Sequence, residues 1–232
     1  MFDGMPVQGF TWLRAKYLAF AAIAVMTAYV FYHNERFLLD PAHPVWQHYE
    51  SFKWWLLPHA LAGACALLLA PMQFSAGLRK RFTKLHRITG RTYVACTLIF
   101  APVGAYIQYL EEPLGVARSF TVATAIFAAI LMITTGMGLI FALTRNIPQH
   151  RQWMTRSYAV ALVFFEVRVI LGVTGWDVPP NAILTEAVVW SCLALSVLIG
   201  DIANQLYEWP RRTARAQAAE TLPIGLQVSV TA

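Results

Sequence analysis

Charged side chains are scarce in this chain, at 13% of its 232 residues, where a soluble domain carries about 25%. With 58% hydrophobic residues and a mean hydropathy of +0.51, that scarcity excludes a water-soluble globular domain. Cysteine is sparse too. Cys65, Cys96 and Cys192 all fall inside apolar runs, so neither an extracytoplasmic disulfide framework nor a paired-cysteine metal motif is expected. Also missing are a Walker A loop, a dinucleotide-type Gly-rich turn, a His-Glu-x-x-His helix and a Gly-x-Ser-x-Gly elbow. Paired broken helices, the usual cue to a transporter, are absent apart from Pro102 and Gly104 in the third apolar run.

What the chain has is long apolar runs. Crossing a hydrocarbon core takes roughly 20 mostly apolar residues in a helix, and six stretches qualify, near Trp12–Tyr32, Trp54–Phe74, Arg91–Leu110, Phe120–Thr144, Trp153–Gly175 and Ile183–Tyr207. Barrel strands would alternate in polarity and could not give such runs. The expected fold is therefore an all-α integral membrane protein, a six-transmembrane-helix bundle spanning 1–209, followed by a polar cytoplasmic tail at 210–232. The first run exceeds the roughly 7–15 residues of a signal-peptide core and no small-residue cleavage site follows it, so it is read as a helix. The segment Tyr32–Lys53, with Phe37, Pro41, Pro44, Trp46 and Tyr49, reads as an ordered cap, and the tail as disordered.

Charge orients the spans. Fourteen of the 18 Lys and Arg fall on one side: Arg14, Lys16, Arg79, Lys80, Arg81, Lys84, Arg87, Arg91, Arg145, Arg151, Arg156, Arg211, Arg212 and Arg215. The other side holds Arg36, Lys53 and Arg118 beside seven acids, Glu35, Asp40, Glu50, Glu111, Glu112, Asp177 and Glu186. The positive-inside rule places both termini in the cytoplasm. Trp46, Trp54, Trp55 and Trp176 then fall at the outer interface, and Trp153 and Trp209 at the inner one, as an aromatic belt requires. This topology accounts for the pI of 9.4 without any nucleic-acid partner.

Two segments repeat each other. His86-Arg87-Ile88-Thr89-Gly90-Arg91-Thr92-Tyr93 and His150-Arg151-Gln152-Trp153-Met154-Thr155-Arg156-Ser157-Tyr158 both read His-Arg, a spacer, then Arg-Thr/Ser-Tyr. Each follows one apolar run and opens the next, which suggests a duplicated helical hairpin, the second and third helices against the fourth and fifth. Related by a pseudo-two-fold axis along the membrane normal, His86 would match His150, and Tyr93 would match Tyr158. Two imidazoles facing across a bundle suit axial ligation of a b-type haem iron, with Arg87, Arg91, Arg151 and Arg156 available to its propionates. The same residues equally suit a quinone, an anionic lipid headgroup at the cytoplasmic face, or ordinary helix capping and snorkelling.

The chain also carries Pro58-His59-Ala60-Leu61-Ala62-Gly63 and Pro71-Met72-Gln73-Phe74 ahead of the two repeated segments. In this order the motifs resemble the bacterial predicted-membrane-protein family called domain of unknown function 2306, over roughly Trp54 to Gly172. The resemblance implies a helical inner-membrane protein and lends no mechanism.

Two ionisable residues fall deep in the fifth run. Arg168 and Glu166 are 12 and 10 residues beyond Arg156, about 18 and 15 Å into the bilayer, where each needs a partner. Two residues apart, they point about 200° from each other and so require different neighbours. His59 is the first candidate, with Gln108 and Glu186 as others; a structural brace, a proton path and a ligand cavity all fit. Asp201 is placed to pair with one of the repeated arginines.

Two functions follow from these residues: a haem- or quinone-linked redox protein with an inner site at His86 and His150 and an outer one at His59, Arg168 and Glu166, or a non-enzymatic accessory subunit of a larger membrane complex. The charge asymmetry is directly testable. Reporter fusions after Arg81 and Arg151 should read cytoplasmic and fusions after Pro44 and Glu112 outside; one fusion on the wrong side breaks the six-span topology.

Overall fold

The computed structural model describes residues 7–176 and 182–220, including the side chains of 17–176 and 183–208. The elements are α1 (Val7–His33), a 3-10 turn (Arg36–Leu39), α2 (Val45–Tyr49), α3 (Lys53–Gln73), α4 (Ala76–Arg81) and α5 (Thr83–Glu111). After a second 3-10 turn (Glu112–Leu114) come α6 (Arg118–Leu143), α7 (Ile147–Ala161), α8 (Val163–Thr174) and α9 (Ala182–Glu220). Among the described residues there is no strand. Five segments are long and apolar enough to cross a membrane, Lys53–Gln73, Thr83–Leu114, Arg118–Leu143, Ile147–Thr174 and Ile183–Glu208, and Tyr17–His33 within α1 is a shorter apolar one. The protein is a multi-pass helical membrane bundle.

Its surface suits lipid. Only 22% of the most apolar stretch of α3 is buried, and Leu61, Leu68, Ile133 and Leu198 all stand exposed on the spans. Water would not tolerate that display, whereas hydrocarbon does. The charges of Arg14, Lys16, Arg211, Arg212, Arg215 and Asp177 lie outside the described side chains.

Local chemistry sets several helix ends. Ser75 caps α4 by accepting from the Leu78 amide at 3.2 Å, and Asn146 caps α7 by accepting from Gln149 at 3.4 Å. α8 stops at Gly175, whose φ of +67° is the left-handed conformation glycine adopts freely. Other boundaries depart from expectation. α5 starts at Thr83 rather than near Arg91 and α7 at Ile147 rather than near Trp153, so the repeated His-Arg segments are the first turns of helices and not loops. The tail expected to be disordered from Pro210 is helical to Glu220, consistent with good helix formers such as Ala214, Arg215, Ala216 and Gln217; residues 221–232 lie outside the described residues. At 39 residues α9 is about 58 Å long and outruns a core of roughly 30 Å.

The fifth span is broken. At Leu162 the amide bonds back to Ala159 at 3.2 Å, and the ladder restarts with Glu166 bonding to Leu162 at 3.0 Å. This is the midplane break that the sequence did not announce. No proline or glycine marks it, and Leu162 and Val163 are both buried, so packing rather than local propensity fixes the break.

The four helices of the repeat form the centre. α3 packs along α5 and α6 along α7, α5 meets α6, and α3 touches α7, which closes a ring in which α5 and α7 lie diagonally. α9 covers α7 and α8, and α1 leans chiefly on α8. Close approach within each hairpin needs glycine. A Cβ on Gly104 would sit 2.7 Å from Cε1 of His59, and one on Gly138 would sit 2.5 Å from Sδ of Met154. Gly136, two residues before Gly138 and about 200° around the helix, has open space around it. Gly104→Ala should therefore destabilise the protein by about 1–3 kcal/mol, whereas Gly136→Ala should be neutral or stabilise it by up to about 1 kcal/mol through helix propensity. Thermal unfolding in detergent compares the two, and equal effects would reject the packing account.

Candidate functional site

Midway through the bundle, Tyr93 Oη lies 2.8 Å from Ser157 Oγ, and Ser157 Oγ lies 2.7 Å from Thr135 Oγ1. These hydroxyls join α5, α7 and α6. All three residues are buried, at 1%, 0% and 0% exposure. Tyr93 and Ser157 are 64 positions apart, as are His86 and His150, so a constant register relates the repeats. Ser157, not Tyr158, stands opposite Tyr93. Tyr158 turns away and packs against Phe74 at 5.6 Å.

That register orients the histidines. His86 precedes Tyr93 by seven residues, and His150 precedes Ser157 by seven, close to two full helical turns. Each imidazole therefore shares a helix face with the central contact, two turns toward the Arg-rich end. The charges of Arg79 and Arg87 reach His86. His150 Nδ1 lies 2.7 Å from the Gly138 carbonyl. A carbonyl only accepts, so this nitrogen carries a proton, and Nε2 is the ring nitrogen left for another partner. Gly138 also receives Met154 one turn later, because its missing Cβ leaves the space. His86 Nδ1 is buried and has no hydrogen-bond partner.

The neighbouring bases divide. Arg156 Nε donates to Asp201 at 2.6 Å, the pairing expected for Asp201. Arg151 stacks on Tyr207, with its guanidinium carbon 3.9 Å from the ring centre. Arg87 and Arg91 are exposed. Among the described residues no group of three or more His, Cys, Asp or Glu could hold a metal ion, so a metal here would depend on the histidine pair and the ligands of a prosthetic group.

A second polar cluster sits at the opposite, cap end. The cap is ordered by aromatic contact, with Phe37 meeting Trp46 at 5.2 Å and Tyr49 at 5.6 Å, while Trp46 Nε1 donates to the Asp40 carbonyl at 3.0 Å. An ion pair and a histidine–carboxylate contact tie it down. Arg168 of α8 pairs with Glu35, and His48 Nε2 lies 3.4 Å from Glu111 Oε1, whose other oxygen accepts from Gln108. Burial lifts the Tyr49 phenol above its ordinary pKa, and the Glu111 carboxylate adds to that.

Arg168 and Glu166 do find different neighbours. Glu166 accepts from Ser196 at 2.9 Å. None of the three candidates named from sequence is the direct partner of either residue: His59 Nδ1 meets the Phe100 carbonyl at 2.8 Å, Gln108 serves Glu111, and Glu186 accepts from Trp190 at 3.4 Å. The early start of the fifth span explains Arg168. With the span running Ile147–Thr174, Arg168 is only six residues from its cap end, about 9 Å, and reaches the loop after α1 instead of the midplane. His59 remains close enough for the charges of Arg168 and Glu35 to act on it. Like His150, it spends Nδ1 on a carbonyl and keeps Nε2 as an acceptor.

A family model described as "Predicted membrane protein (DUF2306)" matches residues 56–203, which includes the four-helix ring and both histidine sites. No curated protein and no solved structure matches the chain.

The cap pair makes a measurable prediction. Glu35 is the more buried partner, its side chain 16% exposed against 41% for Arg168. Arg168→Leu strands the more buried carboxylate, whereas Glu35→Ala leaves a guanidinium that already reaches the surface. Arg168→Leu should lower the unfolding temperature more, by the equivalent of about 1 kcal/mol given the partial exposure. The reverse order would mean that Glu35 is held by something other than Arg168.

Proposed function

Since the chain belongs to the DUF2306 family of predicted membrane proteins, we propose that it is a redox protein of the bacterial inner membrane, termini cytoplasmic, in which His86 and His150 ligate a b-type haem at the cytoplasmic side. The observation that carries this reading is the His150 hydrogen bond to the Gly138 carbonyl. Ligating histidines characteristically donate their other ring nitrogen to a carbonyl or carboxylate, which fixes the tautomer and aims the lone pair. Here His150 and His86 stand at matching positions, each seven residues before its member of the Tyr93–Ser157 contact.

The surroundings fit the group. A haem brings two propionates, and Arg79 and Arg87, whose charges reach His86, are the cations best placed to pair with them. Arg156 is engaged by Asp201 and braces α7 against α9. When bound, haem supplies one-electron chemistry. This chain's residues orient the imidazoles, with the hydroxyl series Tyr93–Ser157–Thr135 two helical turns away.

Reduced-minus-oxidised absorption of the purified protein tests the assignment. Wild type should show b-type bands, His86→Ala and His150→Ala should each abolish them, and Arg156→Leu should leave them. A protein without such bands that co-purifies stably with other membrane subunits would overturn the haem reading in favour of an accessory subunit.

A further inference from the structure

The hairpin of α3 and α5 brings together two cysteines that no sequence motif links. Cys65 is the side-chain hydrogen-bond partner of the Cys96 thiol, and the antiparallel register of the helices explains why. Gln73 donates to the Thr89 hydroxyl at 2.6 Å; eight residues back along α3 is Cys65, and eight residues on along α5 is Thr97. From the close contact of His59 with Gly104, six residues each way reach Cys65 and Leu98. Cys65 is thus level with Thr97 and Leu98, within about 3 Å of Cys96 along the axis. Small side chains keep the helices close here. Ala62 and Ala66 are buried, and a Cβ on Gly63 would lie 4.0 Å from the Phe100 ring. Both thiols are free and half-buried, whereas Cys192 of α9 is buried.

Depth and exposure decide what can react with the pair. Each cysteine is within three residues of the middle of its span, Lys53–Gln73 or Thr83–Leu114, hence within about 5 Å of the midplane. Leu61 and Leu68, one turn to either side of Cys65, and Ile99, one turn beyond Cys96, are all exposed, so the thiols sit at the lipid-facing edge of the seam. Charged thiol reagents do not reach that depth from water. A thiolate is equally unfavourable there, so electrons must leave the pair together with protons. A quinone accepts both, dissolves in the membrane, and is neutral before and after. We propose that Cys65 and Cys96 form a reversible dithiol–disulfide couple that a membrane quinone oxidises. One sulfur bonds to the quinone as its proton passes to a ring oxygen. The second sulfur attacks the first, its proton passes to the other oxygen, and the quinol leaves. Two S–H bonds are exchanged for one S–S bond and two O–H bonds. A disulfide needs Cα atoms about 4.4–6.8 Å apart, a separation that small residues at a helix seam permit. The couple rests on the packing of α3 against α5 and not on the haem assignment.

Thiol counting tests it. The full chain in phosphatidylcholine–phosphatidylglycerol vesicles is reduced with dithiothreitol, freed of reductant, and incubated with decylubiquinone under argon. After denaturation in the presence of a maleimide, mass spectrometry counts the labels. Reduced protein should carry three, one for each cysteine. Quinone-treated protein should carry one, on Cys192, with Cys65 and Cys96 recovered in a single cross-linked peptide. Dithiothreitol, small and uncharged, should then restore three. Cys65→Ser should keep two labels through quinone treatment, and oxidised glutathione, charged and confined to water, should leave wild type with three. Three labels persisting after decylubiquinone overturn the proposal. So does a bond that involves Cys192, or oxidation by glutathione as complete as that by the quinone. Thiol counts do not depend on absorption bands, so this couple and the haem site can fail separately.

Discussion

Hydrocarbon offers no hydrogen bonds, so a polar group inside this bundle is best satisfied by another part of it, and the contact of Tyr93, Ser157 and Thr135 is where that constraint binds the fold together. Each interhelical bond in a membrane contributes modestly, about 0.6 kcal/mol on average. Specificity is the larger consequence. Sliding either helix by one residue would bury a hydroxyl without a partner, so the three groups lock the rotational register of α5, α6 and α7 more firmly than apolar packing alone.

Register in turn positions chemistry. Because seven residues separate each histidine from its member of the central contact, fixing Tyr93 against Ser157 also fixes His86 and His150 on facing sides of the ring. The same hairpins use backbone carbonyls to hold imidazoles, Gly138 for His150 and Phe100 for His59, and glycines make the approach possible at both places. One histidine is thus oriented near each end of the membrane. The two clusters differ in company: arginines surround the one at the Arg-rich end, while the one at the cap end mixes Glu35, Glu111, Arg168 and the Tyr49 phenol under an aromatic lid.

α1 stands apart from this arrangement. It lies outside the residues matched by the family model and leans on α8, leaving a groove beside α3. Its attachment at the cap end comes through the Glu35–Arg168 pair.

Apolar run length and charge asymmetry, both properties of the one-dimensional chain, determined the helical membrane class and the approximate spans, because membrane insertion reads hydrophobicity locally. The repeated His-Arg segments made the duplicated hairpin legible, and the need to pair midspan charges made partners for Glu166 and Arg168 inevitable. Which partners they take was a tertiary matter. Glu35 is 133 positions from Arg168 and Ser196 is 30 from Glu166, and no local pattern encodes such distances. The break at Leu162 carries no proline or glycine, and the substitution of Ser157 for Tyr158 opposite Tyr93 depends on a rotation of one residue, about 100°. Only the packed bundle decides such rotations, because the side chains that fix them meet across helices and not along one.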